Sequence, residues 1–134
     1  MSERTNTEVV QQGYEAFGRG DIPALLEFVA DDVEWIQQGP SAIPFTGTRH
    51  GHEGVAEYFS LLDVNLDFEQ FEPREFVAQD DTVVVLGFER SVMKSTGRPL
   101  ENEWAHVYTL RDGKIAKARL FEDTGAYAAA LESS

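Results

Sequence analysis

Apolar residues recur at helical spacing through the first half of the chain and alternate with polar ones through most of the second. Val9, Val10, Tyr14 and Phe17 fall on one side of a 3.6-residue period, so a helix capped by Thr5 or Asn6 is predicted to run to about Arg19. Gly18 and Gly20 end it. Asp21 caps a short second helix, where Pro23 is tolerated because first-turn N–H groups lack intrahelical partners. Ile22, Leu25, Leu26 and Val29 face the core. Ala30-Asp31-Asp32 is read as a turn into a strand over Val33–Gln37. Gly39, Pro40, Pro44, Gly47 and Gly51 break the segment 38–51. With Ile43 and Phe45 it either covers a pocket mouth or packs flat as a connection. A third helix is predicted from His52 to about Leu62, with Val55, Tyr58 or Phe59, and Leu62 inward.

From Asp63 onward the period changes to two. Phe68–Gln79 reads as a long strand with Pro73 at a bulge or edge position. Asp80-Asp81 turns it into Thr82–Lys94, whose Val83-Val84-Val85-Leu86 run is apolar on both faces. Thr96-Gly97 makes a hairpin into Glu101–Asp123, and a two-residue loop there sets Glu89 opposite Trp104 and Gly87 opposite His106. Within Glu101–Asp123, Asp112-Gly113 is a type I′ signal, because both central residues need positive φ. Arg111 then pairs with Lys114. Leu110 faces Ile115, Tyr108 faces Lys117, His106 faces Arg119, Trp104 faces Phe121 and Asn102 faces Asp123, all ten on one face of the sheet. An apolar wall with a few convergent polar groups is what a small-molecule pocket requires. Thr124–Leu131 reads as a closing helix, and Ser133 and Ser134 are expected to fray. Three helices, a strongly curved antiparallel sheet and a small helix make an α+β fold in a single domain, 1–134. The second sheet face carries Phe88, Val92, Val107 and Leu120, which points to a homodimer through the sheet backs.

The charge balance narrows the partners. Eleven basic and 24 acidic residues give a net charge of −13, a field that repels phosphate backbones and anionic lipid heads. Nucleic acid and membrane are therefore not expected as partners; a hydrophobic small molecule is. The first eight residues hold no apolar signal core and no apolar run reaches membrane-spanning length, so a soluble cytoplasmic protein is expected. There is no cysteine, no phosphate-binding glycine loop and no Gly-x-Ser-x-Gly, so covalent catalysis has no candidate and no cofactor is expected. His50, His52 and Glu53 suggest a metal at first sight. Spacing supplies no further ligand, and no metal is expected.

His106 is the leading acid/base candidate, since imidazole titrates near neutrality; it is equally readable as a histidine hydrogen-bonded without turnover. Asp123 is read as a base or as the group orienting His106, and also as the N-cap of the closing helix. Arg119 is read as neutralising Asp123, Glu89 or a bound anion, or as part of a structural ion pair. Trp35, Trp104, Tyr108 and Phe121 line the pocket or fill it. Tyr14 donates a phenolic hydrogen bond into it or packs. Glu89, if inward, is an acid with a raised pKa, a shift that Arg119 nearby would oppose.

Gly20-Asp21-Ile22, Ala30-Asp31-Asp32, the glycine-rich connection, the His52–Leu62 helix, Trp104-x-His106, Asp112-Gly113-Lys114-Ile115 and Asp123 carry a resemblance over nearly the whole chain. Together they resemble the nuclear-transport-factor-2-like superfamily, in particular its SnoaL-like, ketosteroid-isomerase-related branch. The resemblance implies a cone-shaped sheet wrapped around three N-terminal helices, a pocket in the cone, and a dimer. It also implies one of two functions. The first is a cofactor-free isomerase, cyclase or hydratase/dehydratase acting on a hydrophobic carbonyl or enol compound. The second is a non-catalytic dimeric ligand-binding or assembly module. Gln37 stands where the isomerase carries its base aspartate and cannot shuttle a proton at neutral pH. Tyr14 lies one residue from the isomerase's tyrosine donor, and His106 near its donor aspartate. Arg119 and Asp123 resemble part of the Asp–Arg–Asp set of limonene epoxide hydrolase. His106 and Asp123 resemble the acid/base pair of the polyketide cyclases.

Overall fold

A computed structural model describes residues 2–132, so Ser133 and Ser134 lie outside the described residues. The elements are α1 (Glu3–Gly18), α2 (Ile22–Leu26), β1 (Val29–Gln37), β2 (Gly47–His50), α3 (Gly51–Asn65), β3 (Leu66–Gln79), β4 (Thr82–Met93), β5 (Arg98–Arg111), β6 (Lys114–Glu122) and α4 (Thr124–Leu131). The six strands form one curved, open sheet in the order β2-β1-β6-β5-β4-β3. It is mixed and not wholly antiparallel: β1 runs parallel to β6, while every other pair is antiparallel. The α+β architecture of the sequence reading is the one observed.

Local chemistry explains most boundaries. α1 starts earlier than predicted because Ser2, not Thr5 or Asn6, is the cap, its hydroxyl accepting from the Thr5 N–H. Asn6 is buried inside the helix. Asp21 caps α2 as expected, accepting from Ala24 N–H. Ala30-Asp31-Asp32 is not a turn; it lies within β1, where the pairing with β6 is irregular and both aspartates reach solvent. The sequence Gly47-Thr48-Arg49-His50 carries no apolar alternation, yet it adds to the edge of the sheet through backbone pairing with β1. Ile43 and Phe45 of the preceding loop are fully buried, so that loop packs on the core.

Two turns decide which side chains face the helices. The β4–β5 connection has four residues, 94–97, and closes at Met93↔Arg98. Gly87 therefore pairs with Trp104, and Glu89 with Asn102. The slip from the predicted register is even, so every side chain keeps its face. The β5–β6 hairpin turns at Asp112-Gly113, both with positive φ, and begins as predicted with Arg111↔Lys114 and Leu110↔Ile115. The next pair is Thr109↔Lys117. Ala116 is thus an extra residue, a β-bulge that shifts all later pairing by one and turns β6 over. Ile115, Ala118 and Leu120 are buried, while Arg119 and Phe121 look outward. Leu120, read as a sheet-back residue, is core.

Trp104 lies across the strand from Gly87, and the glycine is required there. A Cβ at Gly87 would overlap Cζ2 and Cη2 of Trp104 and stand 2.6 Å from the Glu72 carbonyl oxygen. Neither the indole nor the backbone has room to yield. Gly87→Ala is therefore expected to destabilise by about 2 kcal/mol or more, as overpacking does. Gly13→Ala, in mid-helix with nothing within 4 Å of the added methyl, is expected to stabilise by up to about 1 kcal/mol. Urea unfolding of the two variants at constant m-value checks the pair.

Candidate functional site

The face of the sheet beneath the helices carries a thread of polar groups inside an aromatic chamber. β5 contributes Asn102, Trp104, His106 and Tyr108 from alternate positions, all buried. β4 contributes Glu89 and Ser91, β1 contributes Trp35 and Gln37, and β6 contributes Glu122 through the Ala116 bulge. Tyr14 descends from α1, Tyr58 from α3 and Tyr127 from α4. The chamber between them has a free volume of about 50 Å³.

Hydrogen bonds give the thread a direction. Tyr108 Oη donates to Tyr14 Oη at 2.8 Å, and Tyr14 Oη lies 2.8 Å from His106 Nδ1. A Tyr14 oxygen that receives from Tyr108 has its own proton for the imidazole, so Nδ1 accepts. Nε2–H is then left to face Glu122 Oε1 at 3.3 Å, with both side chains over nine-tenths buried. Gln37 Nε2 donates to Glu122 Oε2 at 3.4 Å, and Tyr58 Oη fixes the Gln37 amide by donating to its Oε1 at 2.7 Å. Glu89 forms a second node: Tyr127 Oη donates to its Oε1, and Ser91 Oγ donates to its Oε2 at 3.2 Å.

Burial sets the charge states. Glu89 is 1% exposed, and its carboxyl pKa is pushed up to about 7, first by loss of water and then by the charge of Glu122. The hydroxyls of Tyr127 and Ser91 oppose the rise only in part. Tyr14, Tyr58, Tyr108 and Tyr127 are all raised above the usual phenol range, chiefly by burial, with Glu122 adding to each. They remain neutral donors. Trp35 lines the chamber, and its buried indole N–H has no partner among the described residues.

The predicted site residues divide. Tyr14, Trp35, Glu89, His106 and Tyr108 line one chamber. Trp104 stands just behind, stacked on His106 with ring centroids 4.0 Å apart and 18° between planes. Arg119, Phe121 and Asp123 are not part of it. The bulge turns Arg119 and Phe121 to the opposite face, with Phe121 39% exposed, so Arg119 does not oppose the shift on Glu89. Asp123 is exposed and caps α4, accepting from Ala126 N–H at 3.3 Å. The acid beside His106 is Glu122, which sequence reasoning missed, together with Tyr58 and Tyr127. One signal was available: the apolar positions of β6 change parity between Ile115 and Ala118-x-Leu120, as a bulge requires. Gln37, read only as a lost base, is the residue that holds Glu122. His50 faces Glu34 at 3.6 Å, while His52 reaches the Val29 carbonyl at 2.8 Å. Among the described residues no three His, Cys, Asp or Glu side chains are gathered as a metal site, and no helix is long and apolar enough to cross a membrane.

The raised carboxyl makes stability depend on pH. Between pH 4.5 and 7 the folded chain holds a proton on Glu89 that the unfolded chain has released, so stability falls as pH rises through that window. Glu89→Gln removes this dependence. Relative to the parent it is expected to gain roughly 3 kcal/mol between pH 4 and pH 8, from ~1.4 kcal/mol per pH unit. Urea unfolding of both proteins across pH measures the difference.

Comparison with known proteins gives the family and the fold. The model of the SnoaL-like domain matches residues 10–118. An NTF2-like protein from Burkholderia xenovorans LB400 is 37% identical over 98% of this chain and 99% of its own, with a TM-score of 0.90. TerC, solved after co-crystallization with polyporic acid, is 31% identical over 96% of this chain and 99% of its own, with a TM-score of 0.86. A protein from Xanthomonas campestris pv. campestris, provisionally named a polyketide cyclase, shares the fold at 22% identity over 97% and 98% of the two chains, with a TM-score of 0.79. No curated protein matches the chain.

Proposed function

This chain belongs to the SnoaL-like domain family, and we propose that it is a small-molecule pocket protein that moves protons on a hydrophobic carbonyl or enol compound. The observation that carries the reading is the meeting of Glu89, Glu122, His106 and Tyr14 in one buried aromatic chamber. The roles follow from their states. Glu122, held by His106 and Gln37, takes a proton from the carbon next to the carbonyl. Tyr14, kept neutral by burial and held by the Tyr108 hydroxyl, turns its proton from His106 Nδ1 to the enolate oxygen as its charge grows. Glu89 titrates near neutrality and so holds a proton to return, the condition under which general acid catalysis is most effective. Isomerisation, aldol-type cyclisation, dehydration and hydration all use these three roles. The co-crystallization of TerC with polyporic acid supports the placing of an organic ligand in this fold.

A second reading, ligand holding without turnover, is favoured by one feature: both ring nitrogens of His106 already face protein groups. Hydrogen–deuterium exchange at the methyl group of acetophenone in D2O, followed by proton NMR, separates the two. An enzyme accelerates exchange over buffer. Glu122→Gln and His106→Ala are each expected to lower that acceleration about 100-fold or more, the usual worth of a placed acid/base, with binding retained. Binding without exchange across a panel of aryl ketones overturns turnover and leaves the holding role.

The outer face of the sheet exposes Leu86 (40%) and Phe121 (39%) beside the half-buried Phe88 and Val107. We propose that a second copy covers this apolar strip. Phe121→Glu is expected to convert a dimer to a monomer in sedimentation velocity; a monomeric parent protein overturns the proposal.

A further inference from the structure

A chamber of about 50 Å³ holds a few water molecules. An aromatic ring needs about three times as much, since an apolar cavity of roughly 150 Å³ takes benzene. The proposed substrates therefore do not fit the chamber as it stands, and its walls show where it opens. Phe17 of α1, Phe59 of α3, and Phe68 and Phe71 of β3 form one side of the chamber. They pack edge to face or tilted, with Phe17–Phe71, Phe17–Phe59 and Phe68–Phe71 centroids 5.0, 5.6 and 5.6 Å apart. The same four rings, with Leu62, also floor an open cleft of about 900 Å³ on the far side, between α2, α3 and the start of β3. The rings are a plug one side chain thick between the small aromatic chamber in which the carboxyls meet and a large cleft whose apolar strip, Ile22, Pro23, Leu26 and Ala56, is bordered by charged residues. Phe59 and Phe68 are only partly buried and stand outside the stack on His106, so these two rings can swing toward the cleft.

We propose that this outer cleft is the tail half of the ligand site. On this proposal the ligand is an elongated, uncharged molecule whose carbonyl head displaces the phenylalanine plug and whose apolar tail lies along Ile22, Pro23, Leu26 and Ala56. The inference rests on the pocket reading above and specifies its ligand. Charge argues against an anionic tail: Asp63, Asp67 and Glu69 border the cleft against one cation, Lys94, whose ammonium is already 2.6 Å from the Asp63 carbonyl oxygen. A groove of about 470 Å³ on the other side of α1 meets the chamber only at Tyr14, Phe17 and Phe71, and is the lesser route.

Alkyl phenyl ketones from acetophenone to decanophenone test this by titration calorimetry. Once the chain passes the plug, affinity is expected to rise about three- to fourfold per methylene, as burial of each CH2 requires. Ser60→Trp and Ala56→Trp, which fill the cleft from α3, are expected to abolish that rise. Gln11→Trp, in the smaller groove, is expected to leave the rise intact. If acetophenone binds but affinity is flat with chain length, the cleft is not a ligand site and the proposal is overturned while the pocket reading stands. If the rise survives both cleft-filling variants, or is lost in Gln11→Trp alone, the tail lies elsewhere. If Ser60→Trp changes the sedimenting mass and not ketone affinity, the cleft is a protein contact. If no ketone of the series binds, the pocket reading falls and this inference falls with it.

Discussion

Two carboxylates cannot both be ionised cheaply inside one apolar chamber, and the site is organised around that constraint. Glu122 is supplied with partners that suit a charge: the Nε2 edge of His106 on one oxygen and the Gln37 amide on the other. Glu89 is supplied with hydroxyls only, from Tyr127 and Ser91. Loss of water and the charge of Glu122 outweigh those hydroxyls, so the Glu89 carboxyl is pushed up to about 7 and keeps its proton below neutrality. Four tyrosines complete the shell. Each is held neutral by burial and by the same Glu122 charge, so the chamber is rich in donors at neutral pH.

The scaffold holds this thread by stacking. Phe71, Trp104, His106 and Tyr14 lie nearly parallel in sequence across β3, β5 and α1, with 16°, 18° and 15° between successive planes. Trp104 can lie flat only because Gly87 opposite it has no side chain. The imidazole is thus fixed by an indole on one face, a phenol on Nδ1 and a carboxylate on Nε2. A ring so constrained presents one tautomer. The orientation of the His106 ring is thereby tied to a glycine on a neighbouring strand.

How much of this could be read from sequence depends on parity. Alternation along β5 placed Trp104, His106 and Tyr108 on the inner face, and the even slip in the β4–β5 turn left Glu89 inward although its partner changed. The odd slip at Ala116 was different in kind. One inserted residue exchanged Arg119, Phe121 and Asp123 for Ala118, Leu120 and Glu122, and with them the identity of the acid. Side-chain alternation carries no memory across a bulge, so only the switch of apolar parity at Ile115 recorded it. β2 was not legible because Gly47–His50 has no apolar alternation to mark it as a strand. The parallel β1–β6 contact is a long-range pairing that no local pattern encodes. The family resemblance supplied the fold, and it could not supply Glu122, which lies one residue from the position it indicated.

Burial beside Glu122 is what raises the Glu89 carboxyl, and the proposed acid role depends on that rise. The most direct test is a carbon-13 NMR titration of the glutamate side-chain carboxyls, assigned with Glu89→Gln and Glu122→Gln. A Glu89 midpoint near pH 7, falling when Glu122 is replaced, is expected. A Glu89 that titrates in the ordinary carboxyl range, unmoved by Glu122→Gln, would contradict it.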